Sequence, residues 1–233
     1  MTPSALERLW RVRPRTVLHV GAHSGEELDS YESLGWGDGG VFWIEAQSDK
    51  ADGLGSRLRE LDLSVRHTVI QALVWNRDNE RMNFKITNNG ESSSLLDMGS
   101  HASSYPDVHV THEVELVTTT LDSLLPSERR FDLVVLDIQG AELQALQGFS
   151  KHLENVSWIL SEINTGPVYQ DCATWSEVND YLAAYGFVCV DWEMTDAEWG
   201  DALWIRRDLL PSLIKFRRLI RRLKRRLVRH TFL

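Results

Sequence analysis

The sequence contains few cysteines and no long apolar run. These two features argue against a disulfide-rich or zinc-ribbon protein and against a membrane-spanning helix. Its 233 residues include only two cysteines, Cys172 and Cys189, and neither is part of a CxxC pair. Neither a disulfide framework nor a zinc ribbon is indicated, so we expect a protein of a reducing, cytoplasmic compartment. No stretch reaches the roughly 18 apolar residues that a membrane-spanning helix needs, and residues 1–15 lack the apolar core of a signal peptide.

The composition is that of a folded domain with a strongly uneven charge distribution. Hydrophobic residues make up 42% of the chain and charged residues 25%, which fits one well-buried domain and argues against wholesale disorder. Residues 206–233 carry 11 of the 25 Lys and Arg residues but only one acid, Asp208, so their formal charge is +10 and that of the remainder is −19. We therefore divide the chain into a domain over 1–207 and a basic tail over 208–233.

Most of the domain alternates strand patterns with helical patterns. Helices are predicted over 26–36 and 47–61, with further helices in GAELQALQGFSKHL and WSEVNDYLAAYG. We expect the last two strands to pair as a hairpin around Gly200. This alternation predicts an α/β fold with a mostly parallel sheet. The predicted strands cover residues 17–21, 41–46, 65–74, 132–137, 158–163, 187–193 and 201–207.

The middle of the chain has a different pattern. Residues 82–87 and 114–121 alternate like half-exposed strands, and we expect them to pair with each other. Between them lie about 25 residues rich in Ser, Gly and Asn, a long polar loop of the kind that is usually functional or mobile. Within it, SSSLL has the composition of a flexible turn. The spacing of the histidines does not match a helical zinc motif, so we expect them at solvated loop positions. These histidines are His101, His109 and His112.

Four features follow the carboxyl ends of predicted parallel strands, which is the edge where open α/β sheets bind ligands. They are the glycine turn GAHSG, then Glu45, then Gln71-Ala72, and then Asp137 in DIQGAE. The glycines permit a tight turn close to a ligand, and Glu45 stands where a carboxylate accepts hydrogen bonds from ribose hydroxyls. Glu26 and Glu27 follow the turn and would repel a pyrophosphate, so the pattern favours a cofactor without phosphates.

The motifs in this order resemble those of the FkbM-type S-adenosylmethionine-dependent methyltransferases. The similarity rests on VLHVGAHSGEE, VFWIEA, SSSLL, VTTTLDSLL, LVVLDIQGAELQALQG and SEINTGPVY, and it spans roughly residues 15–205. The resemblance implies a Rossmann-like class I methyltransferase fold, with a mostly parallel seven-stranded sheet whose last strand is antiparallel. It also implies methyl transfer from S-adenosylmethionine to an oxygen, usually a hydroxyl of a sugar or another secondary metabolite, and it makes SSSLL a lid or an acceptor contact instead of a flexible turn.

The same resemblance assigns positions around the cofactor. Gly21, Ala22 and Gly25 would bound the methionine moiety, and Glu26 would lie beside it. The other implied cofactor contacts are Glu45 at the ribose, Ala72 at the adenine, His23 as a hydrogen-bonding group and Asp137 under the sulfonium or the acceptor. His19 departs from the pattern, because the family commonly has Asp at this position to help hold the cofactor's amino group.

The hydroxyl acceptor needs a group that takes its proton as the methyl group is transferred. The candidates for this general base are Asp137, Glu142, Glu162 and His23. Asp137 and Glu162 end neighbouring strands, and they are also the pair that would bind a divalent cation such as Mg²⁺ if one assists. Glu142 has a simpler interpretation as an acid that favours a helix start. Tyr169 has two interpretations of equal weight: its ring stacks on a sugar ring, or it packs within the protein core.

The basic tail has the pattern of an amphipathic helix. Its apolar residues are spaced by four and three positions, and Lys and Arg fill the rest. We expect residues 209–230 to bind an anionic membrane surface, which would place the enzyme at the cytoplasmic face of a membrane. Docking on the acidic domain and nonspecific nucleic-acid binding are the alternatives; specific nucleic-acid recognition is not expected. The apolar positions are Leu209, Leu213, Phe216, Ile220, Leu223 and Leu227.

Three functions compete for this sequence. The leading one is an S-adenosylmethionine-dependent O-methyltransferase with a sugar, glycolipid, glycan or small-molecule hydroxyl acceptor. The rival is a catalytically weakened, methyltransferase-like binding module that its tail anchors to membrane or nucleic acid; His19 favours it, whereas Glu45 and Asp137 oppose it. A nicotinamide dehydrogenase fits poorly because the turn lacks GxGxxG.

Overall fold

A computed structural model describes residues 1–210, and its centre is a seven-stranded sheet in the order β3-β2-β1-β7-β8-β10-β9. β1, β2, β3, β7 and β8 pair in parallel, whereas β10 runs antiparallel to both β8 and β9. The predicted Rossmann-like sheet with an antiparallel last strand is therefore confirmed. The ten strands are β1 Thr16–Val20, β2 Gly40–Glu45, β3 His67–Gln71, β4 Leu73–Val74, β5 Arg81–Thr87, β6 Val110–Thr119, β7 Leu133–Leu136, β8 Trp158–Asn164, β9 Phe187–Met194 and β10 Trp199–Arg206.

Helices cover both faces of this sheet, and two apolar clusters result. One cluster joins strand residues such as Val134 and Ile159 to Leu146 of α6 and Leu182 of α7. The other joins Val17 and Trp43 to the helices on the opposite face. The helices are α1 Pro3–Trp10, α2 Leu28–Leu34, α3 Ser48–Glu60, α4 His101–Ser104, α5 Leu121–Leu124, α6 Glu142–Gln147 and α7 Trp175–Ala184, with a 3₁₀ turn over Leu153–Asn155.

Local sequence signals explain several helix ends. α1 was not predicted, although Thr2 caps it, Pro3 occupies its first turn and Leu6 is buried. Thr174 and Glu177 form a capping box at the start of α7, which agrees with the predicted helix there. α6 is shorter than the predicted helix and ends at Gly148. A Cβ at this position would lie 2.4 Å from the Trp75 carbonyl oxygen, so the close approach of the two backbones requires glycine.

The third predicted strand, over 65–74, is wrong as a single element. β3 ends at Gln71, Ala72 donates its backbone N–H to the Glu45 carbonyl, and β4 then joins a separate three-stranded sheet. In that sheet β5 pairs antiparallel with β6, which confirms the expected pairing of 82–87 with 114–121. The chain thus changes sheets beside the edge where the four sequence features meet.

The long polar segment is more structured than a loop. β6 begins at Val110, α4 covers four residues, and Ser94 forms a bridge with Lys85 of β5. Ser92, Ser93 and Ser94 are buried, and the Ser94 hydroxyl donates to the Gln139 carbonyl at 2.7 Å. Outside α4 the segment between β5 and β6 is irregular, as predicted, and contacts to distant parts of the chain hold it in place.

The helix predicted for the basic tail lies almost wholly outside the described residues, which end at Leu210. Leu210 itself packs against the apolar cluster of α1 and α2. Within residues 1–210 no helix is both long and apolar enough to cross a bilayer.

Candidate functional site

The glycine turn after β1 is fixed against the end of β7. Gly21 has φ +87°, and a Cβ there would lie 1.7 Å from the Asp137 carbonyl oxygen, so no other residue fits without moving one of the two strand ends. The N–H groups of Gly21 and Ala22 donate to the Ile44 carbonyl at 2.9 and 3.0 Å. The turn therefore holds the ends of β1, β2 and β7 together.

Glu45 ends β2 and is buried beside this turn. Its two carboxylate oxygens accept backbone N–H bonds from His23 at 2.7 Å and Gln47 at 2.8 Å. Burial raises the pKa of Glu45, and these two amides oppose the rise by stabilising its charge. Each oxygen keeps a second lone pair for a ligand hydroxyl.

Two cavities open along the carboxyl edge of the sheet. The first, which we call the strand-end cavity, encloses about 560 Å³ when the open solvent at its mouth is included. Glu45 and Ala72 line it, as the sequence predicts for a nucleoside site. Its remaining walls are largely apolar, from Ile44, Val74, Phe84 and Leu95.

The second, the loop cavity, encloses about 1,170 Å³ including its mouth. Its walls come from the α4 segment, the end of β8 with the loop after it, and the start of β10. Both cavities are lined by Gly21, His23, Glu91, Asp137 and Gln139. We call these five residues the shared wall, and a ligand that crosses it would occupy both cavities.

A hydrogen-bonded chain runs through the shared wall. Gln139 Nε2 donates to Asp137 Oδ1 at 2.7 Å and to Glu162 Oε2 at 3.2 Å, and Gln139 Oε1 accepts from the Tyr169 hydroxyl at 2.6 Å. Gln139 has φ +57°, an uncommon backbone conformation that its fixed position at the end of β7 imposes. The predicted convergence of Asp137 and Glu162 is thus observed, with Gln139 between them.

The surroundings of the two carboxyl groups favour one proton on the pair. Burial raises the pKa of Glu162 well above its ordinary value, and the charges of Asp137 and Glu142 raise it further. Asp137 is open to both cavities, yet the surrounding protein still desolvates it and raises its pKa, while Gln139 and His19 oppose the rise. Because the hydrogen bond between them lowers the pKa of Asp137 and raises that of Glu162, we assign the proton to Glu162.

Glu142 is not part of this series of hydrogen-bonded side chains, and it lines neither cavity. Its Oε1 accepts backbone N–H bonds from Ile138 at 3.0 Å and Gly140 at 3.1 Å. Burial raises its pKa to about 7. The geometry gives Glu142 a role in shaping the turn after β7, and the catalytic assignment remains a prediction.

His23, the fourth candidate base, faces both cavities. Its Nδ1 lies 2.7 Å from Glu26 Oε1, and its Nε2 is buried without a hydrogen-bond partner. The bond from His23 helps to lower the pKa of Glu26 against the opposing effect of desolvation. Gly25 and Ala22 line neither cavity, and they act through the backbone of the turn.

His19, at the position of the expected acid, is buried in β1. Its Nδ1 lies 3.0 Å from the Tyr31 hydroxyl, its ring stacks on Trp43 at 5.0 Å, and its Nε2 lies 3.8 Å from Glu27 Oε2. It also lines the loop cavity. Glu27, from the turn after β1, therefore brings a carboxylate close to the His19 ring.

Residues 1–210 contain no group of three or more His, Cys, Asp or Glu side chains arranged to hold a metal ion. The alternative in which Asp137 and Glu162 bind Mg²⁺ gains no support from this geometry. Sequence reasoning missed Gln139 as a site residue, although it stands inside the DIQGAE motif. It also placed His101 in solvent, whereas His101 is buried in the wall of the loop cavity.

Comparison with solved structures identifies similar folds. An FkbM methyltransferase from Methylobacillus flagellatus KT is 15% identical with a TM-score of 0.54, and the match covers 82% of this chain but 43% of that one. A ribosomal protein L11 methylase from Lactobacillus delbrueckii subsp. bulgaricus is 12% identical with a TM-score of 0.51, covering 88% and 76%. A protein of the NADB-Rossmann superfamily from Streptococcus agalactiae is also 12% identical with a TM-score of 0.52, covering 88% and 69%.

This chain therefore spans less than half the length of the Methylobacillus protein. Among curated proteins none matches it. The family described as "Methyltransferase FkbM domain" matches residues 19–189, which include the glycine turn, Glu45, the shared wall and Glu162. The chain belongs to the FkbM methyltransferase family.

Proposed function

We propose that the chain is an S-adenosylmethionine-dependent O-methyltransferase, acting on a hydroxyl of a sugar, glycolipid, related glycan or secondary metabolite. The observation that carries this proposal is the meeting of two cavities at Asp137, Gln139 and His23. One cavity has the lining of a nucleoside site, and the other is large enough for a second reactant. Such an arrangement holds two molecules in contact, which supplies much of the rate of a transfer reaction.

The residues present fit the cofactor. Glu45 is a buried carboxylate with free lone pairs for the ribose hydroxyls, and Ile44, Val74 and Phe84 offer apolar surface to an adenine ring. His23 faces both cavities and would be a hydrogen-bonding group for the methionine part. When bound, S-adenosylmethionine supplies an electrophilic methyl group, so the chain needs only to orient the acceptor and remove its proton.

Asp137 is the general base that the geometry favours. It faces both cavities, and it is the ionised member of the pair because Glu162 holds the shared proton. Gln139 fixes the Asp137 carboxylate through the 2.7 Å bond. A raised pKa strengthens Asp137 as a base towards a hydroxyl, whose proton is otherwise hard to remove near neutral pH. His23 is the second candidate.

Calorimetric titration with S-adenosylmethionine tests the cofactor. We expect one site per chain and a weaker one in Glu45→Gln, with Glu113→Gln, an exposed change on β6, as the matched control. Transfer of a radiolabelled methyl group to a panel of hydroxyl compounds tests the reaction. No binding at millimolar S-adenosylmethionine contradicts the enzyme proposal, and tight binding of a reduced nicotinamide dinucleotide instead favours a dehydrogenase.

The rival proposal is a binding module with weakened catalysis, and His19 is the observation that favours it. The ring is held by Tyr31 and Trp43 within the fold, as a structural residue would be. Cofactor binding without methyl transfer to any hydroxyl compound would support this rival. Restored transfer in His19→Asp would locate the weakness at this residue.

We further propose that residues 209–230 bind an anionic membrane surface, on the charge and spacing of their sequence. Flotation with vesicles of phosphatidylcholine, with and without phosphatidylserine, measures this. The full chain should float only with the anionic vesicles, and replacing Arg217, Arg218, Arg221 and Arg222 by Gln should abolish flotation. Equal flotation of both proteins would rule out the tail as the anchor.

A further inference from the structure

The loop cavity has an unusual set of charges for a site that receives a hydroxyl compound. Five carboxyl groups line it, and its walls, all within the described residues 1–210, contain no Lys or Arg. The acids come from the turn after β1, from the segment after β5, and from the ends of β7 and β8. They are Glu26, Glu27, Glu91, Asp137 and Glu162.

The cofactor and the local protons do not balance this charge. One proton is shared between Asp137 and Glu162, and bound S-adenosylmethionine brings one net positive charge. Burial lowers the pKa of His101, so that imidazole stays neutral near pH 7. The walls of the loop cavity therefore keep more carboxylates than cationic side chains when the cofactor is bound. A phosphate or carboxylate on the acceptor would therefore meet repulsion, and a cation would be attracted.

A second observation points to a ligand. His101 is 94% buried in the wall of the loop cavity, and its Nδ1 has no hydrogen-bond partner. An unpaired buried polar atom costs roughly 1–3 kcal/mol, so Nδ1 needs a partner that the described residues do not supply, such as a water, an ion or a group of a bound molecule. A neutral imidazole can accept a hydrogen bond from an ammonium or a hydroxyl group.

Aromatic rings complete the wall beside His101. Tyr105 and Tyr169 lie with their ring centroids 4.9 and 5.4 Å from it, and Trp199 Nε1 donates to the Tyr105 hydroxyl at 3.0 Å. Aromatic faces attract ammonium groups and also pack against the C–H faces of sugar rings. The loop cavity is thus lined by aromatic rings, by an imidazole nitrogen without a hydrogen-bond partner, and by more carboxylates than cationic side chains.

We propose that the acceptor is a hydroxyl compound that also carries a protonated amine and no phosphate, of the amino-sugar class, with His101 and the cavity carboxylates binding the amine. This inference rests on the proposed function, since it names the substrate of the same site. It excludes nucleotide-linked sugars and phosphorylated sugars as acceptors.

Calorimetry in the presence of saturating S-adenosylhomocysteine tests the proposal on matched probes. Glucosamine and kanamycin are each compared with their N-acetylated derivatives, which keep the hydroxyls and lose the charge, and with glucose 6-phosphate. We expect at least one amine to bind ten or more times tighter than its acetylated form, and the phosphate to bind weakest. Equal binding, tighter binding of the phosphate, or no binding of either amine would overturn the proposal.

Single substitutions in the loop cavity test which residues bind the amine. His101→Phe keeps an aromatic ring between Tyr105 and Tyr169 and removes the nitrogen, and it should weaken the amine probes about five- to tenfold. Glu27→Gln removes one carboxylate and should weaken them similarly, which preserves the test if His101→Phe does not fold. Glu113→Gln on the outer face of β6 is the charge-matched control and should change nothing.

Binding of S-adenosylhomocysteine itself separates the two proposals. If S-adenosylhomocysteine binds and the amines do not, only the amino-sugar inference fails. If S-adenosylhomocysteine does not bind either, the proposed function fails with it.

Discussion

The strand-end cavity and the loop cavity meet at one shared wall, but the rest of their linings come from different sources. The strand-end cavity takes its polar group, Glu45, from the end of β2, and backbone amides already satisfy that carboxylate in part. The loop cavity takes its groups from segments far apart in sequence, and one of them, His101, has an unpaired nitrogen. In the strand-end cavity the polar group that the shared wall does not supply is already bonded to backbone, whereas in the loop cavity one such group has no hydrogen-bond partner.

This difference shows that a cofactor site and an acceptor site depend on different parts of the structure. A cofactor site at parallel strand ends needs few residues, because the sheet itself brings them together. An acceptor site needs contacts between loops, such as the bond from Gly99 N–H to the Val168 carbonyl at 2.9 Å. Variants on either side of the shared wall should therefore affect different measurements.

Asp137→Asn in the shared wall should have the largest effect, because it removes the proposed base while keeping its shape. We expect kcat for methyl transfer to fall about 10²- to 10⁴-fold, the usual contribution of a general base. Radiolabelled methyl transfer measures the loss, and Asp196→Asn, at an exposed position, is the control. A loss of less than about threefold would assign the proton transfer to another group, with His23→Gln as the next test.

Glu142→Gln tests whether the residue behind the shared wall is structural. The ordinary pKa of Glu is 4.5 and that of Glu142 is about 7, so in wild type the free energy of unfolding loses at most about 3 kcal/mol as the pH rises from about 4.5 to 7. The unfolded chain ionises first, which is why stability falls with rising pH in this window. Urea unfolding at several pH values should show a smaller fall in the variant.

Methyl transfer provides the second readout for Glu142→Gln. The variant should keep activity within a few-fold of wild type, because Glu142 lines neither cavity. A hundredfold loss of activity with unchanged stability would instead place Glu142 among the catalytic groups.

Glu45→Gln should damage the strand-end cavity alone. An amide replaces one acceptor with a donor, which faces the N–H of His23 or Gln47 and weakens the ribose contacts. We expect the Kd for S-adenosylhomocysteine to rise about 10- to 100-fold, equivalent to roughly 1.4–2.8 kcal/mol. Affinity for the acceptor should change little, and an equal loss for both ligands would mean that the two cavities are not independent.

Tyr169→Phe should have the smallest effect and should act through the loop cavity. It removes the hydroxyl that donates to Gln139 Oε1 at 2.6 Å, a bond whose loss costs roughly 0.5–1.5 kcal/mol. We predict a fall in kcat of about three- to tenfold with an unchanged Kd for S-adenosylhomocysteine. Changes confined to KM would show that Tyr169 binds the acceptor without positioning Gln139.

Much of the fold was predictable because its signals are local. Strand and helix periodicities placed six of the seven strands of the central sheet correctly, and 65–74 failed only because the chain leaves that sheet at Ala72. α1 was missed, although its Thr2 cap and Pro3 were visible, because no strand or motif adjoined it. The tail beyond Leu210 remains a prediction.

The sequence by itself indicated the family, through motifs spread along the chain, and the positions of most strands with the residues at their carboxyl ends, because strand patterns depend on neighbours within a few positions. Only the tertiary structure decided how these residues are used. It joined Asp137, Gln139, Glu162 and Tyr169 in one hydrogen-bonded chain, turned Glu142 towards the backbone, and buried His101 in a cavity wall. Burial and long-range contacts set protonation and access, and neither can be calculated from the spacing of residues along a chain.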